Sequence, residues 1–193
     1  MNSIGVFCGS TLPKQKEIIQ VADELGARIA KLGASLVYSG AKVGLMGAVS
    51  KSCSDHQGKV IGIIPDFLAK DQIAHLTITK LYSVRSFQER RLKFAKLSDA
   101  FIFLPGGLGT MHDLTEWVQL KRLGILTQPM VCINTAGFFD SINDLFQRLL
   151  AEELITDDFS ELIKIVDTID EAIDFLQENQ SEEPFNEELL EQM

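Results

Sequence analysis

The sequence predicts an α/β fold, a doubly wound parallel sheet of six or seven strands flanked by helices. Short apolar runs of four or five residues alternate along the chain with longer segments whose apolar residues recur at helical spacing. Alternation of this kind is typical of parallel β-α-β units. No internal repeat or linker interrupts it. Residues 1–178 are therefore expected to form one domain, followed by a flexible acidic tail at 179–193.

The first half of the chain is expected to hold four strands and three helices. In the first helix, Ile18, Ala22, Leu25 and Ile29 share one face, and Gly33 follows where a helix end favours glycine. The third strand stops at a proline, which cannot donate a ladder hydrogen bond. We predict strands at 4–8, 35–38, 60–64 and 81–84, and helices at 14–32, 44–55 and 87–97.

The second half continues the same pattern. Strands are predicted at 100–104, 130–134 and 162–166, and helices from the glycine-rich turn after residue 104, at 138–150 and at 169–177. The polar stretch beyond residue 178 has a second interpretation, a docking arm anchored by Phe185, Leu189 and Leu190.

Composition and charge narrow the class of protein. The 193 residues are 46% hydrophobic and 23% charged, and no apolar run could span a bilayer. The three cysteines have no metal-ligand spacing and no secretory signal is visible, so we expect buried thiols and a cytoplasmic location. Residues 1–151 hold 17 Lys or Arg against 12 Asp or Glu, while 152–193 hold one Lys against 15 acids. The resulting net charge of +5 on residues 1–151 favours binding of a small anion. It is well below the concentrated positive charge expected of a nucleic-acid-binding surface.

A glycine-rich turn follows the predicted fifth strand and opens a helix. Its glycines leave no Cβ between the backbone and a ligand, and the helix start offers free amides to an anion. Asp113 and Glu116 follow about one and two turns later. The turn is predicted to bind a phosphate through Gly106, Gly107, Leu108, Gly109 and Thr110.

Three other segments should lie at the same sheet edge, because each follows a strand. Doubly wound sheets bind ligands there, where the strand order reverses. Each segment alone has an ordinary explanation, as a tight turn or a solvated helix charge, and their coincidence favours a site. The candidates are Gly9 and Ser10, then Gly40, Gly44 and Met46, then Arg90 and Arg91.

Several cofactor classes are not indicated. A dinucleotide fingerprint would follow the first strand, and no Walker A sequence is present. The three histidines lack metal-ligand spacing. We therefore expect no metal and no redox cofactor.

The motifs Val6-Phe7-Cys8-Gly9-Ser10, Glu89-Arg90-Arg91 and Pro105-Gly106-Gly107-Leu108-Gly109-Thr110 occur in the order and spacing of the LOG (LONELY GUY) family. The resemblance runs from about residue 4 to about residue 155. It implies a Rossmann-like fold, a homodimer and hydrolysis of the N-glycosidic bond of a nucleoside 5′-monophosphate. The substrate would be AMP or an N6-modified AMP such as a cytokinin riboside monophosphate, and the products free base and ribose 5-phosphate.

The resemblance also implies residue roles. Arg90 matches the catalytic arginine, and Asp113 matches the motif acid, which is generally Glu in the family. Arg91 replaces a lysine, and Gln72 replaces a glutamate of the ligand site. Asp is one methylene shorter than Glu, so its carboxylate reaches less far from the helix.

For hydrolysis, a carboxylate near C1′ could stabilise the positive charge on the ribose, while Arg90 stabilises the leaving base.

Other functions are also considered. The same fold could instead serve a nucleotide sensor or carrier, which would bind the nucleotide tightly without releasing the base. Lysine decarboxylase is a label that has been attached to this family. That activity needs a Schiff-base lysine and pyridoxal phosphate, and no feature of the sequence indicates a site for either.

The apolar residues of two helices have two interpretations. They could form a dimer interface or belong to the core: Phe87, Phe94, Trp117 and Leu120.

Overall fold

A computed structural model describes residues 1–69, 73–156, 159–181 and 185–192 of the chain. Its seven strands form one sheet in the order β4-β3-β2-β1-β5-β6-β7, and neighbouring strands pair in parallel. This confirms the predicted fold class. The strands are β1 Ser3–Phe7, β2 Ser35–Tyr38, β3 Lys59–Pro65, β4 Lys80–Val84, β5 Ala100–Phe103, β6 Met130–Ile133 and β7 Lys164–Val166.

The longer helices agree with the predicted pattern. They are α1 Lys16–Lys31, α2 Gly44–Asp55, α3 Asp66–Ala69, α4 Phe87–Leu97, α5 Leu108–Arg122, α6 Asp140–Ala151, α7 Phe159–Leu162, α8 Ile169–Glu178 and α9 Glu187–Gln192. Helices α3, α7 and α9 were not predicted, because they are too short to show a helical period. The last strand is also shorter than predicted, because Leu162 ends α7 and pairing starts at Lys164.

Each face of the sheet has its own apolar core. Ile102 points into the core shared with α1, α2 and α8, while its neighbours Phe101 and Phe103 enter the opposite core. That second core is aromatic: the rings of Phe101 and Trp117 have centroids 4.2 Å apart, and those of Phe7 and Phe103 4.9 Å. Alternation along one strand therefore fills both layers, as a doubly wound sheet requires.

The strand order reverses between β1 and β5, and the loops after these strands are bonded together. The Gly9 amide donates to the Pro105 carbonyl at 3.1 Å, and the Leu45 amide donates to the Gly9 carbonyl at 3.0 Å. Gly44 has φ +59°, and a Cβ there would lie 2.3 Å from the Ser10 carbonyl carbon. Only glycine allows this approach, so the loops after β1, β2 and β5 form one packed unit.

The described end of the chain packs against the body through Leu190 and Phe185, two of the three anchors named in the docking-arm interpretation, whereas Leu189 is exposed. Leu190 of α9 is fully buried, and the Asn186 amide donates to the Ile125 carbonyl at 2.8 Å. Glu187 forms an ion pair with Lys96 of α4. We propose that this acidic segment is a structural part of the domain.

Substitutions at two adjacent leucines test this packing. Leu190→Ala should lower the free energy of unfolding by about 2 kcal/mol, because it removes buried apolar surface. Leu189, which is 44% exposed, provides the matched control, and its alanine variant should stay within about 0.5 kcal/mol. Urea unfolding of both variants measures the difference, and equal stabilities would contradict the docked arrangement.

Within the described residues, no helix combines the length and apolar character needed to cross a bilayer.

The three cysteines, Cys8, Cys53 and Cys132, are free and buried, which confirms the prediction of buried thiols.

Candidate active site

A cavity of about 400 Å³ lies at the carboxyl ends of the strands, beside the point where their order reverses. This is the edge at which doubly wound sheets bind ligands. Residues from five segments, distant in the chain, form its wall. They are Cys8, Ser10, Ser39, Met46, Pro65, Leu68, Phe87, Arg90, Gly107, Leu108, Gly109, Thr110, His112 and Asp113.

The glycine-rich turn supplies the amides of the cavity. Helix α5 begins at Leu108, after an extended Gly107 with φ −90° and ψ −159°. The amides of Leu108, Gly109 and Thr110 therefore have no acceptor within the helix. All three residues line the cavity, so the helix start can bind an anion there.

The loop after β2 contributes to the cavity by packing and by one side chain, and not by free amides. The amides of Leu45 and Met46 both donate to the Gly9 carbonyl, at 3.0 and 3.3 Å. They are occupied by the protein and are not free for a phosphate. Met46 lines the cavity, and Gly44 allows the close packing of the two loops.

Arg90 and Asp113 form a buried ion pair across the cavity wall, from α4 to α5. Arg90 Nη1 donates to Asp113 Oδ1 at 2.9 Å, and Nη2 donates to Oδ2 at 3.1 Å. Arg90 is 7% exposed and Asp113 8%. The Arg90 Nη2 also donates to Ser39 Oγ at 3.0 Å, and the guanidinium lies 4.9 Å from the Phe94 ring centroid. Two parallel hydrogen bonds fix the carboxylate in one orientation.

A second ion pair joins the same two helices. Arg91 Nη1 donates to Glu116 Oε1 at 2.6 Å, while Arg91 Nε and Nη2 are buried without a hydrogen-bond partner. Neither residue lines the cavity. The structure therefore places Arg91 and Glu116 behind the wall, where they brace α4 against α5 beside the Arg90–Asp113 pair.

One group of side chains has the composition of a metal site. His112, Asp113 and Glu116 each offer a ligand atom within 4.8 Å of the others. Both carboxylates already bind a guanidinium group. A cation there would face two arginines, so we assign no metal to this group.

Part of the cavity lining was not predicted from the sequence. Pro65, Leu68 and Phe87 form an apolar part of the wall, and His112 also lines the cavity. Leu68 lies on a four-residue helix that sequence periodicity cannot reveal, whereas Ser39 could have been inferred from its position beside Gly40. Burial raises the pKa of Cys8 to about 12, so this thiol remains protonated at neutral pH.

The other predicted residues have varied positions. Eight of them line the cavity: Ser10, Met46, Arg90, Gly107, Leu108, Gly109, Thr110 and Asp113. Gly9, Gly40, Gly44 and Gly106 shape the adjoining turns and do not line it. Gln72 lies outside the described residues. Of the four candidates for a dimer interface, Phe94, Trp117 and Leu120 are buried in the core, and Phe87 is 54% exposed.

Comparison with known proteins identifies the family. The family model described as "Possible lysine decarboxylase" matches residues 46–176. A cytokinin riboside 5′-monophosphate phosphoribohydrolase of Arabidopsis thaliana is 35% identical over 91% of this chain and 81% of its own. One of Rhodococcoides fascians is 36% identical over 80% of this chain and 78% of its own. The chain belongs to the LOG family.

Solved structures resemble this LOG-family chain in fold. The molybdenum cofactor (Moco) carrier protein of Chlamydomonas rheinhardtii aligns with a TM-score of 0.67 at 20% identity, covering 92% of this chain and 96% of that one. A molybdenum cofactor binding protein of Rippkaea orientalis aligns with the same TM-score at 21% identity, with the same coverage of both chains. At this identity the likeness extends to the fold and not to the ligand.

Proposed function

We propose that this LOG-family protein hydrolyses the N-glycosidic bond of a nucleoside 5′-monophosphate, giving the free base and ribose 5-phosphate. One observation carries the proposal: free amides at the start of α5 and the buried Arg90–Asp113 pair border the same cavity. The relatives named as phosphoribohydrolases support it. The description as a possible lysine decarboxylase fits less well, because no lysine is among the described residues that line the cavity.

The spacing along α5 matches a ribose 5-phosphate. Helix rise is about 1.5 Å per residue, so Asp113 lies roughly 4.5 Å along the axis from Thr110. A phosphate on the amides of Leu108, Gly109 and Thr110 therefore leaves its ribose beside the Asp113 carboxylate. The Thr110 side chain, on a residue that is 5% exposed, adds a hydroxyl at the same end.

The ion pair suits the charge that develops during bond cleavage. Positive charge grows on the ribose, and a carboxylate near C1′ stabilises it. Arg90 uses two of the roughly four lone-pair positions of the Asp113 carboxylate. The remaining positions can orient the attacking water or the 2′-hydroxyl. The Arg90 guanidinium acts by charge and hydrogen bonding.

The apolar wall suits the base. Leu68 and Phe87 are exposed side chains of this apolar wall, and Met46 adds a flexible apolar surface. We infer that adenine lies against this wall and that N6-alkyl groups are accepted, as in a cytokinin riboside monophosphate.

From the family resemblance we also propose that the protein is a homodimer and that it is cytoplasmic.

Removing the phosphate from the substrate tests the proposed function. Purified protein should release adenine from AMP, and kcat/KM for adenosine should be at least about a hundredfold lower, because the helix start then binds no anion. Chromatography of the free base measures both rates, with N6-isopentenyl-AMP as a further substrate. Tight binding of AMP without release of adenine would contradict the proposal and favour a carrier.

A further inference from the structure

The proposed reaction leaves one polar residue of the cavity wall, Ser39, without a role. Ser39 directly follows β2, is half-buried and lines the cavity together with Arg90 and Asp113. Its Oγ accepts a hydrogen bond from Arg90 Nη2 at 3.0 Å. A serine hydroxyl also has one proton to donate, and among the described residues none accepts it. This proton is therefore available to a ligand in the cavity.

Arg90 fixes the distance between this hydroxyl and the Asp113 carboxylate. Its Nη2 donates to Ser39 Oγ at 3.0 Å and to Asp113 Oδ2 at 3.1 Å. Since the two N–H bonds of one guanidinium nitrogen diverge by about 120°, the two acceptor oxygens lie roughly 5 Å apart. A hydrogen bond between two oxygens spans about 2.5–3.0 Å. One ligand oxygen between Ser39 and Asp113 can therefore bond to both.

The chemistry of the two groups selects the kind of ligand oxygen. A carboxylate only accepts hydrogen bonds, so the ligand oxygen must donate to Asp113 while it accepts the proton of Ser39. A sugar hydroxyl satisfies both bonds. The attacking water suits this position less well, because a bond from Ser39 would occupy a lone pair needed for attack on C1′. In the proposed binding mode C1′ lies beside Asp113, and the hydroxyl on the neighbouring carbon is the 2′-hydroxyl.

We propose that Ser39 is a specificity residue that recognises the ribose 2′-hydroxyl by donating a hydrogen bond to it. The inference rests on the proposed function. As the bond to the base breaks, positive charge on the ribose makes the 2′-hydroxyl a better donor, and its bond to Asp113 strengthens. The bond from Ser39 stabilises the negative charge that then grows on the 2′-oxygen. Ser39 and Asp113 together therefore favour a ribonucleotide over a 2′-deoxyribonucleotide.

A comparison of AMP with 2′-deoxy-AMP tests this role. Ser39→Ala should lower kcat/KM for AMP by about tenfold, an effect of the size that one lost hydrogen bond produces. It should change kcat/KM for 2′-deoxy-AMP by about twofold at most, because this substrate has no 2′-hydroxyl to lose the bond. Inhibition of AMP cleavage by ribose 5-phosphate and by 2-deoxyribose 5-phosphate gives the same comparison without bond cleavage. Ser39→Ala should weaken only the first of these inhibitors.

The matched control is Ser35→Ala, since Ser35 is a half-buried serine at the other end of β2 and does not line the cavity. It should match the wild type with every ligand. Equal losses of Ser39→Ala on the two nucleotides would overturn the inference and indicate that Ser39 only holds Arg90 in place. Unchanged rates on both would also overturn it. If the wild type releases no adenine from AMP, the proposed function itself fails, and this inference fails with it.

Discussion

Asp113→Asn should reduce the release of adenine from AMP by about 10³-fold, and Arg90→Ala by a similar factor. The Asn side chain keeps the shape of Asp113 but has no negative charge to stabilise the ribosyl cation. Arg90→Ala removes the two hydrogen bonds that orient the carboxylate. Steady-state assay of free adenine measures both losses.

Stability must be separated from catalysis in these variants. Removing one partner of a buried ion pair costs about 3–5 kcal/mol, because the other charge is left unpaired. Thermal unfolding should therefore accompany the assay, and activity should be compared among folded variants. Asp113→Glu restores the charge and should recover most of the activity. Asp170→Asn removes a carboxylate of an exposed ion pair with Arg28 and should change nothing. Full activity in both Asp113→Asn and Arg90→Ala would contradict the assignment.

Gly106→Ala should disrupt the turn that we propose binds the phosphate. A Cβ at this position would lie 2.0 Å from Thr110 Oγ1 and 2.5 Å from Thr110 Cβ. The Thr110 Cβ is attached to the α5 backbone and cannot rotate away, so the turn must shift. We expect a loss of about 2–3 kcal/mol in the free energy of unfolding. A shift near 1 Å in the turn should also lower kcat/KM for AMP by about a hundredfold.

Gly107→Ala is the matched control for this prediction. A Cβ on Gly107 would meet nothing within 4 Å, and its φ of −90° is ordinary for alanine. Its stability should stay within about 0.5 kcal/mol of the wild type, although a Cβ in the cavity wall can weaken ligand binding. Urea unfolding of the two variants separates these effects. If Gly106→Ala is as stable as Gly107→Ala, the close packing of Gly106 on Thr110 is not a requirement of the fold.

The sheet and its longer helices could be predicted because local sequence patterns encode them. Runs such as Ala100–Phe103 are apolar throughout, as strands buried on both faces must be. Asp113 and Thr110 could be placed on one helix by their spacing alone. Their nearness to Gly9 and Arg90 followed from the rule that parallel strands end at one edge.

The pairing of side chains could not be predicted in the same way. Arg90 and Asp113 are 23 residues apart, and only packing of α4 beside α5 determines that they meet. Packing likewise determines that Arg91 binds Glu116 and lies behind the cavity wall. The Gly9 carbonyl occupies the amides at the start of α2, which sequence alone presents as free. No local sequence pattern predicts tertiary hydrogen bonds of this kind.

A crystal structure with ribose 5-phosphate would show whether the start of α5 binds the phosphate. We expect the phosphate oxygens to accept hydrogen bonds from the amides of Leu108, Gly109 and Thr110, with C1′ facing the Asp113 carboxylate. A phosphate bound at another edge of the sheet, or a ribose that turns C1′ away from Asp113, would contradict it.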